Sequence, residues 1–154
     1  MPHNLHIVLV EPQIPLNTGS IGRVCLATET ALHLVEPLGF EIDDYHLRRA
    51  GLDYWEHLTV TRHKDLPAFL ESVPAHAPKF FFSARGTRPH YDCRFEKGSY
   101  LFFGSEVKGL PKELLEENAG RVFRVPQYDP RVRSLNLANV ASVVVYEAMR
   151  QLGP

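Results

Sequence analysis

The apolar positions fall into short, nearly continuous runs separated by stretches with a longer period. LHIVLV (5–10) is such a run, the pattern of a strand buried on both faces. ALHLVEP (31–37), LTVTRH (58–63), KFFFSA (79–84), SYLFFG (99–104) and RVFRVP (121–126) predict five more strands. Between them the spacing becomes helical. Asn17 or Thr18 caps a helix that carries Ile21, Val24, Cys25 and Thr28 along one side. DLPAFLESV (65–73) and PKELLEE (111–117) predict two short helices, the second opening on proline as helices often do. NLANVASVVVYEAMRQL (136–152) predicts the last, with Ala141, Val144, Ala148 and Leu152 in register. Strands alternating with helices imply an α/β fold: a mostly parallel sheet with helices on both faces.

Ligands of such sheets sit at the carboxyl ends of the strands, so the loops after Val10, Ala84, Phe103 and Val125 hold the candidate chemistry. The first, EPQIPLNTGSIGR (11–23), leads into a helix start whose free amides and dipole favour an anion. Gly19 and Gly22 leave room there for backbone or phosphate, and Arg23 sits near the same end. The second, FFGSEVKGLP (102–111), brackets Ser105, Glu106 and Lys108 with Gly104 and Gly109, so a ligand can lie on main chain. The third, RVPQYDPRVRSLNLANVAS (124–142), runs through three arginines into Ser134, Asn136 and Asn139, one amide more than a cap requires. The fourth, SARGTRPH (83–90), carries Arg85 and Arg88. With RRAG (48–51, including Arg48 and Arg49) and TRHK (61–64), it offers an RNA-facing surface. Taken singly, each feature is equally a turn, a cap or a solvated arginine.

A length of 154 residues points to one domain, 1–154. A net charge of −1 argues against a general electrostatic binder of nucleic acid and leaves room for a local basic patch. LHIVLV is too short for a signal peptide, and no apolar run approaches the ~20 residues that cross a bilayer. Cys25 and Cys93 form no CxxC pair, which fits two reduced thiols in a cytoplasmic protein. The eight histidines show no HExxH, so no metal is expected; GK[ST] and GxSxG are absent too.

EPQIPLNTGSIGR, LFFGSEVKGLP and RSLNLANVASVVVYEAMRQ, in this order and over nearly the whole chain, resemble the three motifs of the SPOUT superfamily of RNA methyltransferases. The likeness is nearest to the small single-domain tRNA (cytidine/uridine-34 2'-O)-methyltransferases, whose stretch between motifs EPLGFEIDDYHLRRAGLDYWEHLTVTRH (36–63) also resembles. The resemblance implies a parallel sheet with a C-terminal trefoil knot, which no pattern in the residues indicates. It implies S-adenosylmethionine held in the knot, largely by backbone groups, around Phe82, Gly104, Glu106, Val125 and Leu135. It implies a homodimer whose sites are completed by the partner's first loop, with Asn17 and Arg23. Arg23 then activates the ribose 2'-hydroxyl, as a base or by stabilising an alkoxide. Ser134 and Asn136 hold the ribose or its phosphate, Glu106 orients Arg23 across the interface, and Asn139 serves the helix start or the site. Arg48, Arg49, Arg85, Arg88 and Arg133 meet the tRNA. PQYDPRVRS (126–134) is about one residue longer than that subgroup leads one to expect, which leaves Arg131 and Arg133 both open as the residue facing the site. Methylation of another tRNA or rRNA site, a non-catalytic dimer that binds the cofactor or RNA, and an ordinary nucleotide-binding domain are the competing readings. The missing phosphate fingerprints count against the last.

Overall fold

The computed structural model describes residues 2–42, 45, 47, 49 and 52–154. The strands are β1 (His6–Val10), β2 (Ala31–Val35), β3 (Val60–His63), β4 (Lys79–Phe82), β5 (Arg88–Pro89), β6 (Tyr100–Phe103) and β7 (Val122–Arg124). They form one sheet in the order β3-β2-β1-β6-β4-β7-β5, parallel throughout. Helices α1 (Pro15–Ala27), α2 (Leu66–Ser72), α3 (Lys112–Glu117) and α4 (Leu137–Leu152) cover it.

The near-continuous apolar runs follow from burial on both faces. Ile7, Leu9, Leu32, Leu34, Leu101 and Phe103 point into one core with Ile21 and Cys25 of α1 and Ala141, Val144, Val145 and Ala148 of α4. Their neighbours Val8, Val10, Val35, Phe81 and Phe102 point the other way, against Phe69 of α2 and Leu114 of α3. Asp65 caps α2 by accepting from Ala68 N at 2.8 Å. Cys25 and Cys93 are both free and buried. Among the described residues no helix is long and apolar enough to cross a membrane.

Two expectations change. Sequence reading treats 83–90 as a basic loop, whereas Arg88–Pro89 adds a seventh strand on β7. The start of α1 also moves. The helix opens at Pro15 after Ile14, which makes no side-chain cap, so neither Asn17 nor Thr18 is the N-cap. Arg23 therefore lies eight residues beyond Pro15, more than two turns from the amide-rich end.

One polar feature crosses the second core. His6, His33 and His63 lie on neighbouring strands and are hydrogen-bonded in series, His6 Nδ1 to His33 Nε2 at 2.9 Å and His33 Nδ1 to His63 Nε2 at 3.1 Å. Burial lowers the pKa of all three. His33, also facing the other two rings, falls to about 4. In the unfolded chain each titrates near ~6.5. As pH falls, the unfolded state takes up protons first. The stabilising contribution is whole above about pH 6.5, declines below it and levels off below about pH 4. Urea unfolding is expected to show a loss of roughly 1–2 kcal/mol from His33 between pH 7 and pH 4.5, allowing for its partial exposure. His33→Leu should flatten that slope; an unchanged slope would refute the coupling.

Candidate active site

The carboxyl ends of β4, β6 and β7 open into a cavity of about 810 Å³, within the usual range of small-molecule sites. Its wall contains Phe82, Gly104, Glu106, Val125, Leu135, Ser134 and Asn136, together with Asn17 from the start of α1, Arg85 and Arg133. Residues proposed on separate stretches of sequence thus converge. Phe82 and Leu110 are buried and supply apolar wall, while Leu135 is 40% exposed.

A line of hydrogen bonds joins three of the loops. Glu106 accepts from Gln13 N at 2.8 Å with one carboxylate oxygen. With the other it accepts from Ile14 N at 2.9 Å and Asn17 Nδ2 at 3.1 Å. Asn17 Oδ1 in turn accepts from Asn136 Nδ2 at 3.0 Å. Asn136 Oδ1 accepts from Asn139 N at 3.2 Å and so caps α4. The anion at the entry to α1 is therefore the protein's own carboxylate, placed by a residue about ninety positions away. Glu106, expected to orient Arg23, has both oxygens engaged by the first loop of its own chain. Asn17, expected to meet substrate, is 8% exposed and has both ends of its amide engaged. Asn139 serves the helix start through its backbone N–H.

Gly104 has a different task from the one its flanks suggest. A Cβ there would lie 2.0 Å from Gly109 C and 2.1 Å from Leu110 N. The second loop folds back on itself: Gly109 N donates to Ser105 O at 2.8 Å, Lys108 N to Ser105 Oγ at 2.9 Å, and Gly109 takes φ 69°. Main chain, not ligand, fills the space beside Gly104. Gly104→Ala is expected to cost upwards of ~3 kcal/mol, because backbone rather than a mobile side chain must shift. A denaturation midpoint close to wild type would contradict that packing.

The charge is local. Arg85, Lys108, Arg124 and Arg133 line the cavity against one carboxylate, Glu106, on a chain of net charge −1. Lys108 belongs to the second loop read from the sequence and Arg124 was counted among the three arginines of the third, whereas Gln127 was not singled out. Gln127 holds the long third loop together by donating through Nε2 to Val132 O at 2.8 Å. Arg131, left open beside Arg133, pairs with Asp129 at 2.6 Å and is not part of the lining.

Several expected residues lie elsewhere. Arg88 does not share a surface with Arg85: its guanidinium stands 4.7 Å from the Phe123 ring centroid, donates to Gly120 O at 3.2 Å and lines a separate groove. Arg49 donates to Tyr45 Oη at 2.6 Å. Arg48 lies outside the described residues. Arg23 is exposed, stands outside the cavity lining and lies 5.0 Å from the Tyr54 ring centroid. Among the described residues no group of three or more His, Cys, Asp or Glu is arranged to hold a metal ion.

Comparison with known proteins adds an independent line. Residues 4–146 match the model of a family described as the SpoU rRNA methylase family. A tRNA (cytidine(34)-2'-O)-methyltransferase of Escherichia coli (strain K12) is 51% identical over 152 residues, covering 97% of this chain and 94% of that protein. One of the same description from Saccharophagus degradans is 51% identical over 151 residues, covering 96% of each. A solved structure concerned with the 2-OH methylation of C/U34 on tRNA superposes with a TM-score of 0.93 at 47% identity, covering 99% of this chain and 98% of that one. An AdoMet-bound rRNA methyltransferase from Sinorhizobium meliloti superposes with a TM-score of 0.87 at 26% identity, covering 98% of this chain and 57% of that one.

Proposed function

Because the chain belongs to the SpoU rRNA methylase family, we propose that it is an S-adenosylmethionine-dependent ribose 2'-O-methyltransferase acting on nucleotide 34, cytidine or uridine, of tRNA. The observation that carries this reading is the Glu106–Asn17–Asn136 line, which ties the three resembling motifs around one cavity. The identity of about half the residues with tRNA (cytidine(34)-2'-O)-methyltransferases over nearly the full length supports the choice of nucleotide.

The cavity suits the methyl donor. Its wall combines the apolar Phe82, Leu110, Val125 and Leu135 with the polar Ser105, Glu106, Ser134 and Asn136, the mixed lining that an adenosine and an amino-acid tail require. When bound, S-adenosylmethionine supplies an activated methyl group on a sulfonium. Phe82, Val125 and Leu135 would exclude water from the donor, and the Ser105–Gly109 loop would lie along it. Arg85 and Arg133 hold RNA phosphate near the mouth. Ser134 would hold the ribose with its 2'-hydroxyl towards the donor, and Asn136, with one amide hydrogen left beyond its bond to Asn17, would support it from the start of α4. Arg23 of a partner chain would stabilise negative charge on the 2'-oxygen as its proton passes to solvent water. A guanidinium stays protonated, so it acts as stabiliser rather than base. No residue of this set needs a metal.

The assembly follows from the same reading. The chain is one methyltransferase domain, its carboxyl-terminal strands form the trefoil knot of the SPOUT fold, and it works as a cytoplasmic homodimer. The family's description and the resemblance to an rRNA methyltransferase keep ribosomal RNA as a second substrate reading.

The test is incubation with radiolabelled S-adenosylmethionine and, in parallel, total tRNA or ribosomal RNA, then mapping of the modified nucleotide. Label at the 2'-oxygen of position 34, undiminished by chelator, is expected. Label only on ribosomal RNA would favour the second reading, and none on any RNA would defeat both.

A further inference from the structure

Arg23 is exposed on a long flexible stem, and among the described residues it has no hydrogen-bond or ion-pair partner. A catalytic guanidinium free to sample many rotamers is a poor stabiliser, because positioning must then be supplied at each turnover. The surroundings of α1 supply it in advance. Gly22 packs against the 3₁₀ turn Leu52–His57 and the residue after it. A Cβ at Gly22 would come within 2.8 Å of Trp55 Cζ3 and 2.9 Å of Leu58 Cδ1. Leu58 N donates back to Trp55 O at 3.2 Å, so the turn is clamped to α1 one residue away from Arg23. From this turn Tyr54, 44% exposed, sets its ring 5.0 Å from Arg23 Cζ.

An aromatic face is well suited to this task. It attracts a guanidinium through its quadrupole and leaves the in-plane N–H donors unoccupied. A carboxylate in the same place would hold the arginine equally well, but it would engage two donors and cancel the charge. Resting on the reading of Arg23 given above, we propose that Tyr54 is a positioning residue for methyl transfer. It holds the Arg23 guanidinium in place by ring contact and leaves its five N–H groups for the ribose 2'-oxygen and a neighbouring phosphate. The ring is what matters; the hydroxyl has no part in it.

The test uses the full-length protein, radiolabelled S-adenosylmethionine and total tRNA, with single-turnover rates so that slow variants remain measurable. Tyr54→Leu is expected to lower the rate about two- to five-fold, the scale of an exposed cation–π contact. Cofactor affinity and the thermal midpoint should be unchanged. Tyr54→Phe and Tyr54→Trp, which keep a ring face, should restore the rate. In an Arg23→Ala background, Tyr54→Leu should have no further effect. A wild-type rate for Tyr54→Leu, failure of Phe or Trp to rescue, or the same factor persisting without Arg23 would overturn the proposal. A normal rate for Arg23→Ala alone would instead strike at the assignment of Arg23 on which it rests.

Discussion

Arg23→Ala is expected to reduce methyl transfer to tRNA by roughly 10²–10³-fold, the usual cost of removing one preorganised donor from a developing oxyanion. The same variant should fold normally and bind S-adenosylmethionine almost as tightly as wild type. The structure separates these effects. Arg23 contributes nothing to the cavity wall of its own chain, and its described contact is the exposed face of Tyr54. Truncating an exposed side chain away from core, caps and networks moves stability by about half a kcal/mol or less. Loss of activity with intact cofactor binding is therefore a statement about chemistry. Calorimetry with the donor and single-turnover kinetics on the same preparation decide it. A variant with near-normal turnover would reduce Arg23 to a bystander.

How far the sequence carries this picture differs by element. The central strands were legible because parallel strands covered on both faces need apolar residues at every position, and IVLV, LFF and FFF satisfy that by composition alone. Strand β5 was not. Two residues, Arg88 and Pro89, leave no periodic signal, and their pairing is decided by β7 more than thirty residues later. The entry to α1 misled for a related reason. Local capping rules favour Asn17 or Thr18, yet Glu106 satisfies the amides of Gln13 and Ile14 from across the sheet. At the site, motif order placed Phe82, Gly104, Val125, Ser134 and Asn136 around a common cavity. It could not foresee that Asn17 and Asn136, 119 residues apart, would bond to each other, or that Gly104 makes room for Leu110 rather than for a ligand. Arg85 and Arg88 look alike as a pair of basic residues. Strand pairing divides them between the cavity and a separate groove, so their effects on tRNA binding should differ.

Tyr146→Asp is expected to separate the protein into monomers and remove activity in the same step. Helix α4 is apolar beyond what one buried stripe requires. Ala141, Val144, Val145 and Ala148 fill the core, yet Val143 remains 42% exposed and Tyr146 52%. Helix α1, which shares that core, exposes Leu16 at 49%, and Ile14 just before it is 42% exposed. Large apolar side chains on two neighbouring helices are the usual mark of a surface that meets another protein. Here the occupant follows from the chemistry proposed for the site. Arg23 stands on α1 outside its own cavity, so a second copy docked through these helices is the arrangement that brings it to one. Tyrosine anchors of this kind carry at least about 2 kcal/mol, and an unpaired carboxylate in the same contact adds its desolvation cost. The dimer dissociation constant should therefore rise by roughly 10²-fold or more. Sedimentation measures that directly. The sharper test mixes two inactive chains, Arg23→Ala and a folded variant blocked in the cofactor cavity, such as Leu135→Arg. Each mixed dimer should regain one working site, because one chain supplies the guanidinium and the other the cavity. Restoration towards a quarter of wild-type activity is the result expected for random pairing at equal amounts, where half the dimers are mixed and each has one site of two. Well-folded mixed dimers that stay inactive, or a Tyr146→Asp monomer with full activity, would place Arg23 and the cavity in the same chain and end the model.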